Sequence, residues 1–155
     1  MPRFILPISS KAYDPDPDGP IRRSLRIELK AYVQIRPGEF TPIRDFRVDT
    51  GSTYTTMSAT LARLLGIPIP ATTSRLTSLT TAGRRDALVR DGELRVRFDA
   101  LPGHLFRLYC VYSEDVPPSV PPLLGLNDFA DLFRFTVDAA PTADFPFGSV
   151  HFETR

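Results

Sequence analysis

The first feature of this sequence that could take part in a reaction is a carboxylate at the end of an apolar segment. Asp49 follows residues 46–48 and precedes Thr50, Gly51 and Ser52. Gly51 allows the backbone to turn close to the carboxylate and to offer it N–H groups. Burial would disfavour the charge on Asp49, whereas these N–H groups and the Ser52 hydroxyl would stabilise it. The segment predicts a positioned carboxylate; a β-turn with an Asx hydrogen bond is the alternative interpretation.

A second motif lies about 75 residues further along the chain, at residues 123–125. Leu123 and Leu124 form an apolar pair, Gly125 follows them, and residues 126–129 then have the pattern of a short helix. An apolar pair of this kind is expected to be buried whatever the function of the protein.

The two motifs together resemble the aspartic proteases of retropepsin type, the single-domain relatives of pepsin. The first part of the resemblance is Val-Asp-Thr-Gly-Ser at 48–52, followed by Leu-Ala-Arg-Leu-Leu-Gly-Ile at 61–67. The second part is Leu-Leu-Gly-Leu-Asn-Asp-Phe at 123–129. The order of the motifs, and the room for a hairpin between them, also match the family, and the resemblance covers roughly residues 24–153.

The resemblance implies a role for each residue of these motifs. Asp49 would be the catalytic aspartate, and Thr50 would make the hydrogen bond that braces two paired loops. Gly51 and Ser52 would support the carboxylate, with Ser52 also facing substrate. Residues 123–125 would pack beneath the catalytic loop as structural support.

The resemblance also implies a mobile hairpin, or flap, that closes over the substrate. We place it at residues 78–85, with Thr81, Ala82 and Gly83 at its tip as substrate-binding residues. Residues 84–86 are Arg-Arg-Asp, which is more charge than a typical hydrophobic flap tip carries.

Only one Asp-Thr-Gly occurs in the chain, and the other Asp-Gly pairs, at 18–19 and 91–92, lie in turn-like contexts. The family mechanism needs two aspartates, so the resemblance implies a C2 homodimer in which each subunit supplies Asp49. Terminal segments commonly contribute to this interface in the family, which suggests a role for residues 148–152 and for the N-terminal arm. The predicted activity is that of an aspartic endopeptidase acting on peptide or protein substrates.

A noncatalytic protein with the same fold is the alternative. It would be a peptide-binding or scaffolding module that stays monomeric, or that dimerises with its Asp49 loops apart, because a fold does not guarantee a function.

The elements that must position these residues are mostly strands. Apolar and polar residues alternate from residue 24 to 35, as in a half-buried strand, and turn-forming residues separate this segment from a second one. Two helices are predicted, one capped by Ser58 and ended by Gly66, the other capped near Asn127. The further strands are predicted at 40–48, 54–57, 72–98, 104–112, 134–138 and 148–152. The sequence predicts an all-β protein with two short helices, most simply a closed or heavily twisted barrel-like sheet, and the resemblance implies the closed retropepsin-like barrel.

Three further acidic residues are interpreted without a catalytic role. Asp91 and Gly92 mark a second turn or a bulge before the strand at 93–98. Asp128 and Asp131 lie on the second short helix and are expected to be solvated or to cap it.

The single cysteine and the two histidines do not form a metal-binding pattern. His104 and His151 are far apart in the sequence, and Cys110 lies in an apolar segment typical of a core. We predict no metal and no cofactor.

Length and composition narrow the remaining choices. The 155 residues contain 19 Lys and Arg against 18 Asp and Glu, which disfavours nucleic acid and anionic membranes as partners. No apolar segment is long enough to span a membrane, and one cysteine allows no internal disulfide, so the cytoplasm is the expected compartment. Residues 14–20 read Asp-Pro-Asp-Pro-Asp-Gly-Pro and predict a linker. We therefore divide the chain into an arm and linker, 1–23, and a protease-like domain, 24–155.

Overall fold

The structure is a computed structural model that describes residues 1–13, 22–80 and 83–155. In these ranges the chain forms eleven strands and two short helices. The strands are β1 (Arg3–Pro7), β2 (Ser9–Tyr13), β3 (Arg22–Arg36), β4 (Glu39–Asp49), β5 (Thr55–Ser58), β6 (Thr73–Thr80), β7 (Gly83–Phe98), β8 (Phe106–Ser113), β9 (Leu123–Gly125), β10 (Phe133–Asp138) and β11 (Ser149–Thr154). The helices are α1 (Ala59–Leu64) and α2 (Leu126–Leu132).

The long hairpin of β3 and β4 confirms the strands predicted on either side of residues 36–39. Gly38 has φ 82°, a left-handed conformation that glycine adopts without strain. Leu29, Val33 and Phe46 are fully buried, because the period-2 pattern turns alternate side chains toward one face.

The larger sheet has the strand order β2-β3-β4-β9-β5-β8-β7-β6, and β3 also pairs with β7. This last pairing, with Ala31 opposite Phe98, returns the ladder from β7 to β3, as a closed barrel requires. Leu94, Cys110 and Leu124 are among the side chains that fill the enclosed core. The predicted all-β class is confirmed.

The N-terminal arm pairs with strands of the main domain. β1 and β10 lie on either side of β11 in a three-stranded antiparallel sheet, and β2 pairs with β3. Phe4 stacks on Phe152 with ring centroids 4.7 Å apart. The predicted linker lies outside the described residues, and the boundary between residues 23 and 24 stays a prediction.

The two helices are short, as predicted, but only one has the predicted cap. Ser58 accepts a hydrogen bond from the Leu61 N–H at 3.3 Å, and Gly66 follows the helix with φ 72°. The N-cap of α2 is Gly125, with no side-chain hydrogen bond, so the cap predicted near Asn127 is wrong. Both helices are too short and too polar to cross a membrane, and the described residues contain no other helix.

The turn or bulge predicted at Asp91 and Gly92 is also wrong. β7 continues through both residues, which pair with Val111 and Cys110 of β8. A Cβ at Gly92 would lie 2.5 Å from Cγ of Pro70, so this glycine is explained by close packing rather than by a turn.

Candidate active site

Asp49 is the last residue of β4, and a parallel neighbour sets its position. β4 pairs with β9 in a register that places Asp49 opposite Gly125 and Val48 opposite Leu124. The Arg47 N–H donates to the Pro122 carbonyl at 2.8 Å, which extends this ladder by one bond. The two sequence motifs therefore begin on adjacent strands, β4 and β9.

The loop after Asp49 holds the carboxylate through a backbone hydrogen bond. The Gly51 N–H donates to Oδ1 of Asp49 at 2.9 Å, which is the predicted backbone contact and equally the Asx hydrogen bond of the alternative interpretation. The Ser52 hydroxyl does not contact the carboxylate; it donates to the Tyr54 carbonyl at 2.8 Å, and the predicted contact with Asp49 is wrong. The Ser52 N–H donates to the Asp49 backbone carbonyl at 3.2 Å, which closes a tight turn.

Residues of the second motif form backbone hydrogen bonds with this loop. The Leu126 N–H donates to the Ser52 carbonyl at 2.7 Å, and the Asn127 N–H donates to the Thr53 carbonyl at 3.1 Å. A Cβ at Gly125 would lie 2.1 Å from the Tyr54 carbonyl carbon, so only glycine allows this approach.

An open groove of about 460 Å³ borders the carboxylate. Asp49 is half-buried in it, whereas Thr50 is exposed beside it. No described residue forms a hydrogen bond with the Thr50 hydroxyl or an ion pair with Asp49. Arg47, whose Nη2 lies 3.8 Å from Oε1 of Glu28, also lines the groove. The site presents a half-buried carboxylate at the edge of an open groove.

Asp128 has a structural role that the sequence does not reveal. Its Oδ2 accepts a hydrogen bond from the Thr55 hydroxyl, and its Oδ1 accepts one from the Tyr109 N–H at 3.1 Å. The Thr55 oxygen in turn accepts from the Gly125 N–H at 3.2 Å. Asp128 thereby joins α2, β5 and β8 next to the Asp49 loop. Its position two residues beyond Leu126 is the only sequence signal, and it equally suits a solvated helix residue.

Asp128→Ala is expected to lower the free energy of unfolding by about 1 to 3 kcal/mol, because the buried Thr55 hydroxyl loses its acceptor. Urea denaturation followed by circular dichroism measures the change. Asp131→Ala is the matched control, since Asp131 lies exposed on the same helix and should change stability by at most about 0.5 kcal/mol. Equal losses in the two variants would remove the role assigned to Asp128.

The predicted flap corresponds to the hairpin of β6 and β7. Thr80 pairs with Gly83, and the predicted tip residues Thr81 and Ala82 lie outside the described residues. Gly83 has φ 106°, a conformation that favours glycine.

The predicted dimer interface depends on which strands of the three-stranded sheet have a free edge. Both edges of β11 are occupied within the chain, by β1 and β10, so residues 149–154 have no free edge for strand pairing with a second copy. β10 is an edge strand and exposes Phe135 and Val137, and Val137 also lines the groove beside Asp49.

No group of three or more His, Cys, Asp or Glu side chains in the described ranges could hold a metal ion. Cys110 is fully buried, as predicted, and burial raises the pKa of its thiol.

Comparison of the sequence with protein-family models and with curated proteins finds no match. Comparison of the structure finds a retropepsin-like aspartic protease from Rickettsia conorii. The two chains are 18% identical and superpose with a TM-score of 0.55, over 97% of this chain and 89% of the other. This chain therefore has the fold of the retropepsin-like aspartic proteases.

Proposed function

We propose that the protein is an aspartic endopeptidase that uses Asp49 from two copies of the chain to hydrolyse peptide bonds. The observation that carries the proposal is the Asp49 carboxylate at the end of β4. It is held by the Gly51 N–H and stands in an open groove without a compensating cation within ion-pair distance among the described residues. The fold shared with the Rickettsia conorii protein supports it.

The reaction needs two carboxyl groups in opposite protonation states. One Asp49 carboxylate accepts a proton from water while the water oxygen attacks the scissile carbonyl carbon. The protonated carboxyl of the other copy donates a hydrogen bond to the carbonyl oxygen. When the C–N bond of the tetrahedral intermediate breaks, the leaving nitrogen takes a proton from the carboxyl pair. Two carboxyl groups within hydrogen-bonding distance of each other do not both ionise, so the pair shares one proton.

The groove side of the molecule has features that suit a second copy. Thr50 is exposed at the tip of the loop, where it could meet its symmetry mate. Phe135 and Val137 expose apolar surface on an edge strand next to the groove, with 40% and 53% of their surface accessible. An exposed apolar edge is a common dimer contact. We place the interface at β10 and the Asp49 loop.

Peptide cleavage should depend on protein concentration, because one chain supplies one carboxylate. We expect the activity per chain to rise with concentration and to level off once dimers predominate. A peptide library incubated with the protein at about pH 4 to 7 provides the substrates. Sedimentation at the same concentrations provides the fraction of dimer.

A strict monomer that cleaves nothing, even with peptide present, would favour the noncatalytic alternative. A monomer with full activity per chain at every concentration would exclude the shared dyad.

A further inference from the structure

A second groove, of about 390 Å³, is bordered by Tyr54, which follows residues 50–53 of the Asp49 loop, and by the hairpin of β6 and β7. Tyr54, Asp91 and Tyr109 contribute polar and aromatic surface to it, and Leu76, Val89 and Val111 contribute apolar surface. Tyr54 belongs to the Asp49 loop, whose Ser52 hydroxyl donates to the Tyr54 carbonyl. One wall therefore comes from the catalytic loop and another from the β6–β7 hairpin.

Two hydroxyl groups donate hydrogen bonds to the Asp91 carboxylate in this groove. Oδ1 accepts a hydrogen bond from the Ser74 hydroxyl at 2.6 Å, and Oδ2 accepts one from the Tyr109 hydroxyl. These bonds lower the pKa of Asp91, the Ser74 bond contributing most, and the carboxylate raises the pKa of Tyr109. Asp91 is therefore ionised and Tyr109 protonated at neutral pH.

The charge on Asp91 has no cationic partner among the described residues, none of which forms an ion pair with it. Arg75 also borders the groove, but it pairs with Leu88 in the hairpin, whereas Ser74 pairs with Val89 on the opposite face. Glu93, the next acid on β7, is occupied by Arg95 at 2.6 Å. Among the described residues, therefore, no cation within ion-pair distance compensates the charge on Asp91.

The surroundings of Asp91 suit a long cationic side chain. The rings of Tyr54 and Tyr109 lie 6.1 Å apart at 60°, and aromatic faces attract ammonium and guanidinium groups. Leu76, Val89 and Val111 provide apolar surface along which an aliphatic stem could lie.

We propose that this groove binds a lysine or arginine side chain of the peptide substrate, with Asp91 as the residue that selects the positive charge. The peptide would run between the Asp49 loop and the β6–β7 hairpin, both of which border the groove. This assignment of substrate class rests on the proposed peptidase function, but binding to the groove can be measured without catalysis.

The probes are N-acetyl-lysine methylamide and N-acetyl-norleucine methylamide, which share a side-chain stem and differ in the charge. Binding to the full chain is followed through the NMR ring signals of Tyr54 and Tyr109. We expect the lysine probe to bind about fivefold more tightly, a difference of about 1 kcal/mol. The preference should decrease as salt rises from about 0.05 to about 0.5 M, because salt screens partly exposed charges.

Asp91→Asn is expected to abolish the preference for lysine, and Asp91→Glu, which keeps the charge, to retain part of it. Asp86→Asn is the matched control: Asp86 lies on the same strand, alternates to the other face of the hairpin and is bound by Arg84 at 3.5 Å. It makes the same change of charge and should leave the preference unchanged.

Equal binding of the two probes to the unaltered protein, or an equal loss in the Asp86 variant, would overturn the assignment of Asp91. The salt dependence of the unaltered protein keeps the test valid if an Asp91 variant fails to fold. Cleavage of a peptide library reports separately on the peptidase. A lysine preference without cleavage would reject only the peptidase, and cleavage without a preference for basic residues would reject only this subsite.

Discussion

Asp49→Asn is expected to reduce peptide cleavage by at least about a thousandfold, because asparagine can neither accept the proton from water nor return one to the leaving nitrogen. The amide keeps the shape of the side chain and can still accept the Gly51 N–H bond seen at 2.9 Å. The loop should therefore keep its conformation. The measurement is the initial rate on one library peptide, with unfolding followed in parallel to show that stability is retained.

Asp45→Asn is the matched control for this variant. Asp45 lies four residues earlier on β4 and is exposed, so the change of charge is the same and cleavage should persist. Cleavage by the Asp49 variant at the rate of the unaltered protein would reject Asp49 as the catalytic group.

Mixing the Asp49→Asn chain with the unaltered chain separates a shared dyad from a single carboxylate. With free exchange of subunits, about a quarter of the dimers in an equal mixture contain two intact chains. Activity should fall to that fraction of the unaltered protein at the same total concentration. A fall only to about one half would mean that each chain acts alone.

Gly125→Ala is expected to lower the free energy of unfolding by about 3 kcal/mol and to disturb the Asp49 loop. The new Cβ would lie 2.1 Å from the Tyr54 carbonyl carbon, 2.4 Å from the Tyr54 oxygen and 2.5 Å from the Thr55 nitrogen. All three are backbone atoms where the Asp49 loop ends and β5 begins, so no rotation of a side chain can relieve the contact. Thermal and urea denaturation measure the loss.

Gly103→Ala is the control, since a Cβ at Gly103 meets nothing within 4 Å and its φ is not in the left-handed region. The alanine there should be neutral or raise stability by up to about 1 kcal/mol, because it reduces the freedom of the unfolded chain. A Gly125 variant as stable as the Gly103 variant would show that the loop and β9 can move apart.

The alternation of apolar residues at 24–35 is local information, whereas β1, β2 and β9 were not predicted as strands. The pattern at 24–35 identified β3, and Ser58 and Gly66 identified the ends of the first helix region. Local chemistry also indicated that the Gly51 N–H would hold the Asp49 carboxylate. Each of these features depends on residues within a few positions of one another.

Two predictions made from the local sequence, the turn at residues 91–92 and the Ser52 contact with Asp49, are wrong. Asp91-Gly92 has the composition of a turn, yet β7 runs through it because β8 pairs with both residues and Pro70 packs against the glycine. Ser52 was expected to bind the carboxylate and instead binds the Tyr54 carbonyl. The first outcome depends on long-range neighbours that the local sequence does not specify, whereas the second is a contact between residues two positions apart.

The amino-acid sequence was enough to predict the all-β class and to identify the Asp49 loop and the motif at 123–125. Only the tertiary structure showed that β11 has both edges occupied, that Asp128 joins three elements, and that Asp91 lies with Tyr54 and Tyr109 in one groove. The physical reason is strand register. A shift of one residue in a pairing moves every side chain of that strand to the other face. The sequence of a strand does not say which strands lie beside it, and that pairing places distant residues such as Asp91 and Tyr54 near each other.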